Sequence, residues 1–257
     1  MSYRCALFSD LSSFGKSSLT VMIPALEMLG VEACPVATCL LSSQTDGFVA
    51  PCVFDTTVSF CSILKRWQGM QLEFDGIYSG YLPSRAIIQS VALFVQHHPD
   101  SLYICDPVLG DNGSYYSTLD NSLTDEILRT LLPLSFLSTP NGTEAAFLLH
   151  KEGEKPRQEW CSALPGKKGI ITGLENDEGC FVATSDRLYP YRKIPVSYPG
   201  TGDLFDALLL GLLVKGKKIE DAMPLVVDLV SLAILRTDRL RPLGVDVTTI
   251  RKELATL

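Results

Sequence analysis

Residues 199 to 211 read PGTGDLFDALLLG. Gly200 and Gly202 free the backbone to turn, so that successive N–H groups converge at the start of a helix. That helix is apolar almost all round and therefore buried. A buried helix start is an anion site, through its orphan N–H groups and the positive end of its dipole. Asp203 stands in the first turn. A carboxylate beside an anion hole suits phosphoryl transfer: the hole stabilises charge on the transferring group, and the carboxylate takes the proton of an attacking hydroxyl. The same Gly-x-Gly-Asp pattern also serves as a plain turn with a capping acid. Asp206, one turn on, is a rival acid, placed away from the converging N–H groups.

Two further stretches supply company. DPVLGD (106–111) and TPNGTE (139–144) put Asp106, Asp111, Asn141 and Glu144 at the ends of two apolar segments. Magnesium prefers a few carboxylates together with phosphate oxygens and water. Each stretch alone reads as a turn with surface acids; with GTGD on the same edge they form a set. A third motif is a decoy. Gly15, Lys16 and Ser17 end like a P-loop, but the glycine required five positions earlier is Asp10, whose charge would repel a triphosphate.

The elements that must position these residues follow from periodicity. Short β-rich apolar runs alternate with longer helical patterns. Strands are expected at Arg4–Ser9, Ala33–Leu41, Phe74–Ser79, Leu102–Asp106, Phe136–Thr139, Lys168–Thr172 and Gly179–Thr184. Arg187–Arg192 is expected to pair with the last of these as a hairpin. Helices are expected at Ser17–Leu29, Val58–Gln68, Ser84–Gln96, Asn121–Leu132, Thr143–Leu149, Gly202–Val214, Ile219–Arg236 and Thr248–Leu254. Such alternation implies a mostly parallel sheet covered on both faces, with ligands beyond the carboxyl ends of its strands. No linker or repeat divides the 257 residues, so one domain is expected over 1–257.

Composition excludes several classes. A net charge of −7 offers no basic patch for nucleic acid. The apolar run Ala207–Val214 falls well short of the roughly 20 residues that cross a bilayer. The opening MSYRCALFSD reaches Asp10 too soon for a signal peptide's apolar core. Eight cysteines without a C-x-x-C pair read as buried, reduced thiols of a cytoplasmic protein, and three histidines form no zinc or Ser-His-Asp set.

In order and spacing, SDLSSFGKSSLT, LLSSQTDGF, YSGYL, DPVLGDNG, TPNGTEAAFLL, ITG and GTGDLFDALLLG resemble the ribokinase-like superfamily from residue 5 to about 240. Within it the chain is similar to the pyridoxal/pyridoxine/pyridoxamine kinases, with the hydroxymethylpyrimidine kinases as close relatives. The resemblance implies an α/β three-layer sandwich and a homodimer. It implies ATP and Mg2+, and a small vitamin substrate phosphorylated on a hydroxymethyl group. It makes Asp203 the base and Gly200, Thr201 and Gly202 the anion hole. Asp106, Asp111, Asn141, Glu144 and Thr172 would serve nucleotide phosphates, with Asp111 and Glu144 also serving the metal. Asp10, Gln44, Thr45 and Tyr81 fall on the substrate side. Lys16 is then read as an early residue of a solvated helix.

The chain departs from the pyridoxal kinases at Asp10 and Gln44, where they usually carry serine and histidine. Asp10 instead resembles the SD-x-SG opening of the hydroxymethylpyrimidine kinases and of a bacterial pyridoxamine kinase-like group. A carboxylate there could pair with a pyridinium nitrogen or an aminomethyl group. The alternatives that stay open are hydroxymethylpyrimidine as substrate and a non-catalytic ligand-binding relative.

Overall fold

The computed structural model describes residues 3–45, 47–48, 51–116, 119–239 and 243–257. In chain order the strands are β1 (Tyr3–Ser12), β2 (Val31–Leu41), β3 (Val53–Asp55), β4 (Gly76–Ser79), β5 (Leu102–Cys105) and β6 (Gly110–Asp111). They continue with β7 (Ser114–Tyr115), β8 (Leu137–Ser138), β9 (Lys168–Gly169), β10 (Ile171–Asn176), β11 (Gly179–Ala183) and β12 (Leu188–Tyr191). The helices are α1 (Leu19–Met28), α2 (Thr57–Gly69), α3 (Arg85–His97), α4 (Leu123–Thr130) and α5 (Gly142–Leu148). After them come α6 (Trp160–Ala163), α7 (Thr201–Val214), α8 (Ile219–Arg236) and α9 (Arg251–Leu254).

Strand β1 shows why the chain layers. Cys5, Ala6, Leu7 and Phe8 are all fully buried, and successive side chains point to opposite faces. Ala6 and Phe8 join one core with Phe60 of α2, Ile87 of α3 and Ala145 of α5. Cys5 and Leu7 join the other with Met22 of α1, Leu208 of α7 and Met223 of α8. A strand apolar on both sides needs cover on both sides, which gives helices above and below one sheet. The sheet runs β3-β2-β1-β4-β5-β8-β9. Its ladders are parallel except for the edge strand β3, antiparallel to β2.

The expected long elements are present. The segment expected as one strand over Lys168–Thr172 divides: β9 closes the large sheet, and β10 enters a separate antiparallel sheet of order β10-β11-β12. The hairpin of β11 and β12 is as expected. Strand β3, the β6–β7 hairpin and the four-residue α6 had no counterpart in the sequence reading, being too short to show a period. Helix α1 begins at Leu19 rather than Ser17, because Ser18 sits at φ 49° and ψ −128°, outside helical backbone. No helix among the described residues is long and apolar enough to cross a membrane.

Candidate active site

Parallel strands deliver their carboxyl ends to one edge, and there the loops enclose a cavity of ≈ 320 Å³. Asp203, Gly200, Thr201 and Gly202 line it with Asp106, Asp111, Asn141, Glu144 and Thr172. So do Asp10, Gln44, Thr45 and Tyr81. Every residue singled out from the sequence therefore meets in one place. The β1–β2 register shifts between Ser9 and Leu11, so Asp10 lies at a bulge, a device that re-aims a side chain at a strand's end. Thr172 is brought beside Asn141 by a parallel bridge, its N–H donating to the Pro140 carbonyl at 3.0 Å.

Helix α7 starts as its sequence demands. Gly200 adopts φ 83°, and a Cβ there would come within 2.8 Å of the Lys16 carbonyl oxygen. A Cβ on Gly202 would meet nothing, so the backbone at that point is open to a ligand. Asp203 accepts the Ser18 N–H on Oδ2 at 2.8 Å. Burial pushes its pKa up to about 7, partly offset by that N–H and raised further by Asp106 and Asp10. Asp106 is pushed to about 6 by burial, against a 3.0 Å hydrogen bond from the Tyr78 phenol to its Oδ2. Asp206 lies one turn deeper and titrates well above an ordinary carboxyl, because it is buried beside Asp106.

The DPVLGD and TPNGTE loops are fastened to each other. Asn141 caps α5, its Oδ1 accepting the N–H groups of Thr143 and Glu144 at 2.9 and 3.0 Å. Glu144 closes the capping box by accepting the Asn141 N–H at 2.8 Å. Its other oxygen accepts Leu109 N–H at 3.1 Å and Gly110 N–H at 3.5 Å, while Asn141 Nδ2 donates to the Gly110 carbonyl at 2.9 Å. Burial and Asp106 hold Glu144 well above the usual carboxyl range. Asp111 is exposed at the rim, its carboxylate accepting the neighbouring Asn112 N–H at 2.7 Å and Nδ2 at 3.1 Å.

This donor set fits magnesium as a guest of phosphates. Among the described residues no three His, Cys, Asp or Glu groups are arranged to hold a metal by themselves. Mg2+ is usually held by one or two carboxylates plus substrate phosphate oxygens and water. Asp111 at the rim and Glu144 deeper in the cavity offer that number.

On the opposite side, Ser18 Oγ donates to Asp10 Oδ1 at 2.5 Å, and Ser9 and Ser12 hydroxyls approach Asp10 at 3.5 Å. Burial raises the pKa of Asp10, and these hydroxyls oppose the rise. Gln44 is buried, its Oε1 accepting the Lys16 N–H at 2.9 Å. Gly15, at φ 103°, is required there because a Cβ would strike that amide. Tyr81 is held through its backbone, N–H to Ser9 Oγ and carbonyl to the Thr38 hydroxyl at 2.7 Å.

Lys16 corrects the sequence reading. It precedes α1 rather than belonging to it, and α1 is mostly buried rather than solvated. Its N–H meets the Leu243 carbonyl at 2.6 Å and its ammonium pairs with Asp246 at 2.9 Å. The reading missed Ser12, Ser17 and Ser18, although five serines between positions 9 and 18 mark a polar seat. It also missed Thr139 and Tyr198 in the wall. Tyr198 Oη is buried with no hydrogen-bond partner among the described residues.

Comparison with known proteins agrees with the geometry. The family model described as phosphomethylpyrimidine kinase matches residues 22–242. The chain is 26% identical over 251 residues to the pyridoxal kinase of Arabidopsis thaliana, covering 89% of this chain and 81% of that one. The crystal structure of pyridoxal kinase from Lactobacillus plantarum superposes with a TM-score of 0.90 at 27% identity, over 99% of this chain and 97% of its own. A Bacteroides thetaiotaomicron structure described as a phosphomethylpyrimidine kinase, in a crystal form with pyridoxal, gives 0.87 at 29% identity, over 99% and 96%.

Proposed function

This chain belongs to the phosphomethylpyrimidine kinase family of the ribokinase-like superfamily, and we propose that it is an ATP-dependent kinase for a vitamin B6 vitamer. The reaction moves the γ-phosphoryl group of ATP onto the hydroxymethyl group of pyridoxal, pyridoxine or pyridoxamine. The observation that carries the reading is Asp203 with a pKa of about 7 in the first turn of α7, beside the Gly200–Gly202 turn.

Each residue takes a role from its place. Asp203 accepts the proton of the acceptor hydroxyl, because a base poised near neutral pH is both ionised and basic enough. The backbone N–H groups of Gly200, Thr201 and Gly202 receive the charge that develops on the transferring phosphoryl. Thr172 and Asn141, bridged to each other, bind phosphate oxygens at the nucleotide side, with Asp106 behind them. Mg2+, held by Asp111 and Glu144 with phosphate oxygens, would neutralise charge on the triphosphate. Asp10, Gln44, Thr45 and Tyr81 seat the pyridine ring, and Asp10 favours the ammonium of pyridoxamine through a charge-assisted hydrogen bond.

The whole chain acts as one kinase domain in this proposal. The eight unpaired thiols suit a reducing, cytoplasmic setting. A homodimer is supported by the edge strand β3, where Val53 and Phe54 are exposed beside a strand edge that pairs with no other strand among the described residues.

A coupled assay of ADP release tests the reading, run with pyridoxal, pyridoxine, pyridoxamine and hydroxymethylpyrimidine. The expected result is turnover of the pyridines with pyridoxamine preferred. The family description favours hydroxymethylpyrimidine as the second reading, and turnover of that compound alone would replace the first. No turnover of any of the four would leave a ligand-binding relative.

A further inference from the structure

We infer that Ser18 is the positioning residue that holds both acids facing the acceptor, Asp203 through its backbone N–H and Asp10 through its hydroxyl. The inference rests on the kinase reading for what those two acids do. Its geometry stands apart from that reading. The Ser18 N–H reaches Asp203 Oδ2 at 2.8 Å, across 185 positions of chain, while its Oγ reaches Asp10 Oδ1 at 2.5 Å. Asp203 and Asp10 are close enough for the charge of one to act on the other. One residue thus sits between two mutually repelling carboxyls and donates to each.

The backbone of Ser18 is unusual in a way that fits this work. Its φ of 49° with ψ of −128° is a conformation that residues with a Cβ rarely adopt. Such strain persists only where the surroundings over-determine it. Before Ser18, Lys16 is tied by its N–H to the Leu243 carbonyl and to Gln44, and by its ammonium to Asp246. Between them, the Ser17 N–H is taken by Thr20 Oγ1 at 3.0 Å. After it, the Ser18 carbonyl accepts the N–H groups of Val21 and Met22 at 3.0 Å as α1 begins. The strap from Lys16 to Ser18 is clamped at both ends, and the conformation it forces turns the Ser18 N–H away from its own helix and toward Asp203.

Serine meets both demands, at a conformational penalty. Glycine would accept the backbone without strain but carries no hydroxyl. Asparagine tolerates positive φ and carries an amide donor long enough to reach a neighbouring carboxylate. Removing a hydrogen bond to a charged group changes an equilibrium by roughly tenfold to a hundredfold. The hydroxyl fixes Asp10 directly and, by anchoring residue 18, keeps the N–H aimed at Asp203.

The experiment compares wild type, Ser18→Gly and Ser18→Asn with pyridoxamine and ATP. The expected result for Ser18→Gly is a fall in kcat/KM for pyridoxamine of roughly tenfold to a hundredfold, with KM for ATP within about twofold of wild type and Tm no lower. Ser18→Asn should recover most of the loss. A Ser18→Gly enzyme that keeps wild-type kcat/KM for the acceptor overturns the inference. So does a loss that appears equally in KM for ATP, or one that follows a lowered Tm and is not recovered by asparagine. A wild type inactive on every acceptor would sink the kinase reading instead. The inference is then decided by crystals of Ser18→Gly without ligand: displaced Asp10 and Asp203 carboxylates support it, and unmoved ones overturn it.

Discussion

Asp203 and Asp206 stand three residues apart on α7 and differ in what their surroundings allow. Asp203, at about 7, loses its proton within the neutral range, whereas burial and the neighbouring Asp106 push Asp206 well above an ordinary carboxyl. Asp203→Asn removes the base and should lower kcat by roughly 10² to 10⁴ with KM for ATP nearly unchanged. Asp206→Asn replaces an acid one turn deeper than the Gly200–Gly202 turn by an amide of the same shape, and should lower kcat by less than about tenfold. Equal losses in the two variants would show that the wrong acid has been assigned. Because Asp203 acts in its ionised form, kcat/KM should fall about tenfold per pH unit below about 7. The fall should steepen below about 6, where Asp106 also takes a proton. A profile flat from pH 5 to 8 would contradict the role. Asp203 was legible because its neighbours in sequence are the glycines that build its site. Ser18 was not, because its N–H reaches Asp203 only through a backbone angle of φ 49°, and its hydroxyl reaches Asp10 only once that strap is folded, neither of which a sequence pattern signals.

Among the elements, the loops after β5 and β8 are joined by a helix cap, and this separates two uses of acid. Glu144 completes the capping box of α5 and holds the Leu109 and Gly110 N–H groups, whereas the exposed Asp111 carboxylate accepts the N–H and Nδ2 of its neighbour Asn112. Glu144→Gln keeps one accepting oxygen where two are used, so it loses either the Asn141 bond or the Leu109 and Gly110 bonds. It should lower stability by about 1 kcal/mol and Tm by about 2–4 °C, and should also raise the Mg2+ concentration for half activity. Asp111→Asn should raise the Mg2+ requirement and leave Tm unchanged. Mg2+ titration and thermal melting of both variants check this, and an unaltered Mg2+ requirement in both would remove them from the metal site. Long strands and helices were legible because period and length reinforce each other over ten or so residues. The β6–β7 hairpin and β3 span two or three residues each, too few for a pattern. The start of α1 was placed two residues early because serine is a common first-turn neighbour and nothing local signals φ 49° at Ser18.

Across the whole molecule, the parallel sheet gathers the acids of four loops on one edge, and that gathering was implied by strand–helix alternation alone. The strand order was not, since periodicity does not say which strands pair. The gathering has a consequence for stability. Asp10, Asp106, Glu144, Asp203 and Asp206 all titrate above their ordinary values, with burial the largest cause for each. For a carboxyl with a folded pKa above the unfolded one, the folded state binds the proton more tightly, so the stability it contributes is present at low pH and is lost as pH rises through the folded value. For Asp106 and Asp203 the loss runs from the ordinary 3.8 up to about 6 and about 7. The protein without ligands should therefore melt at a lower temperature at pH 8 than at pH 5. Asp203→Asn, which carries no charge at either pH, should raise Tm at pH 8 more than at pH 5, while being nearly inactive. Melting curves of wild type and variant at the two pH values measure this difference directly. A variant that gains nothing at pH 8 would mean that the Ser18 N–H already offsets the burial of the Asp203 charge, and that the base is held ionised without loss of stability.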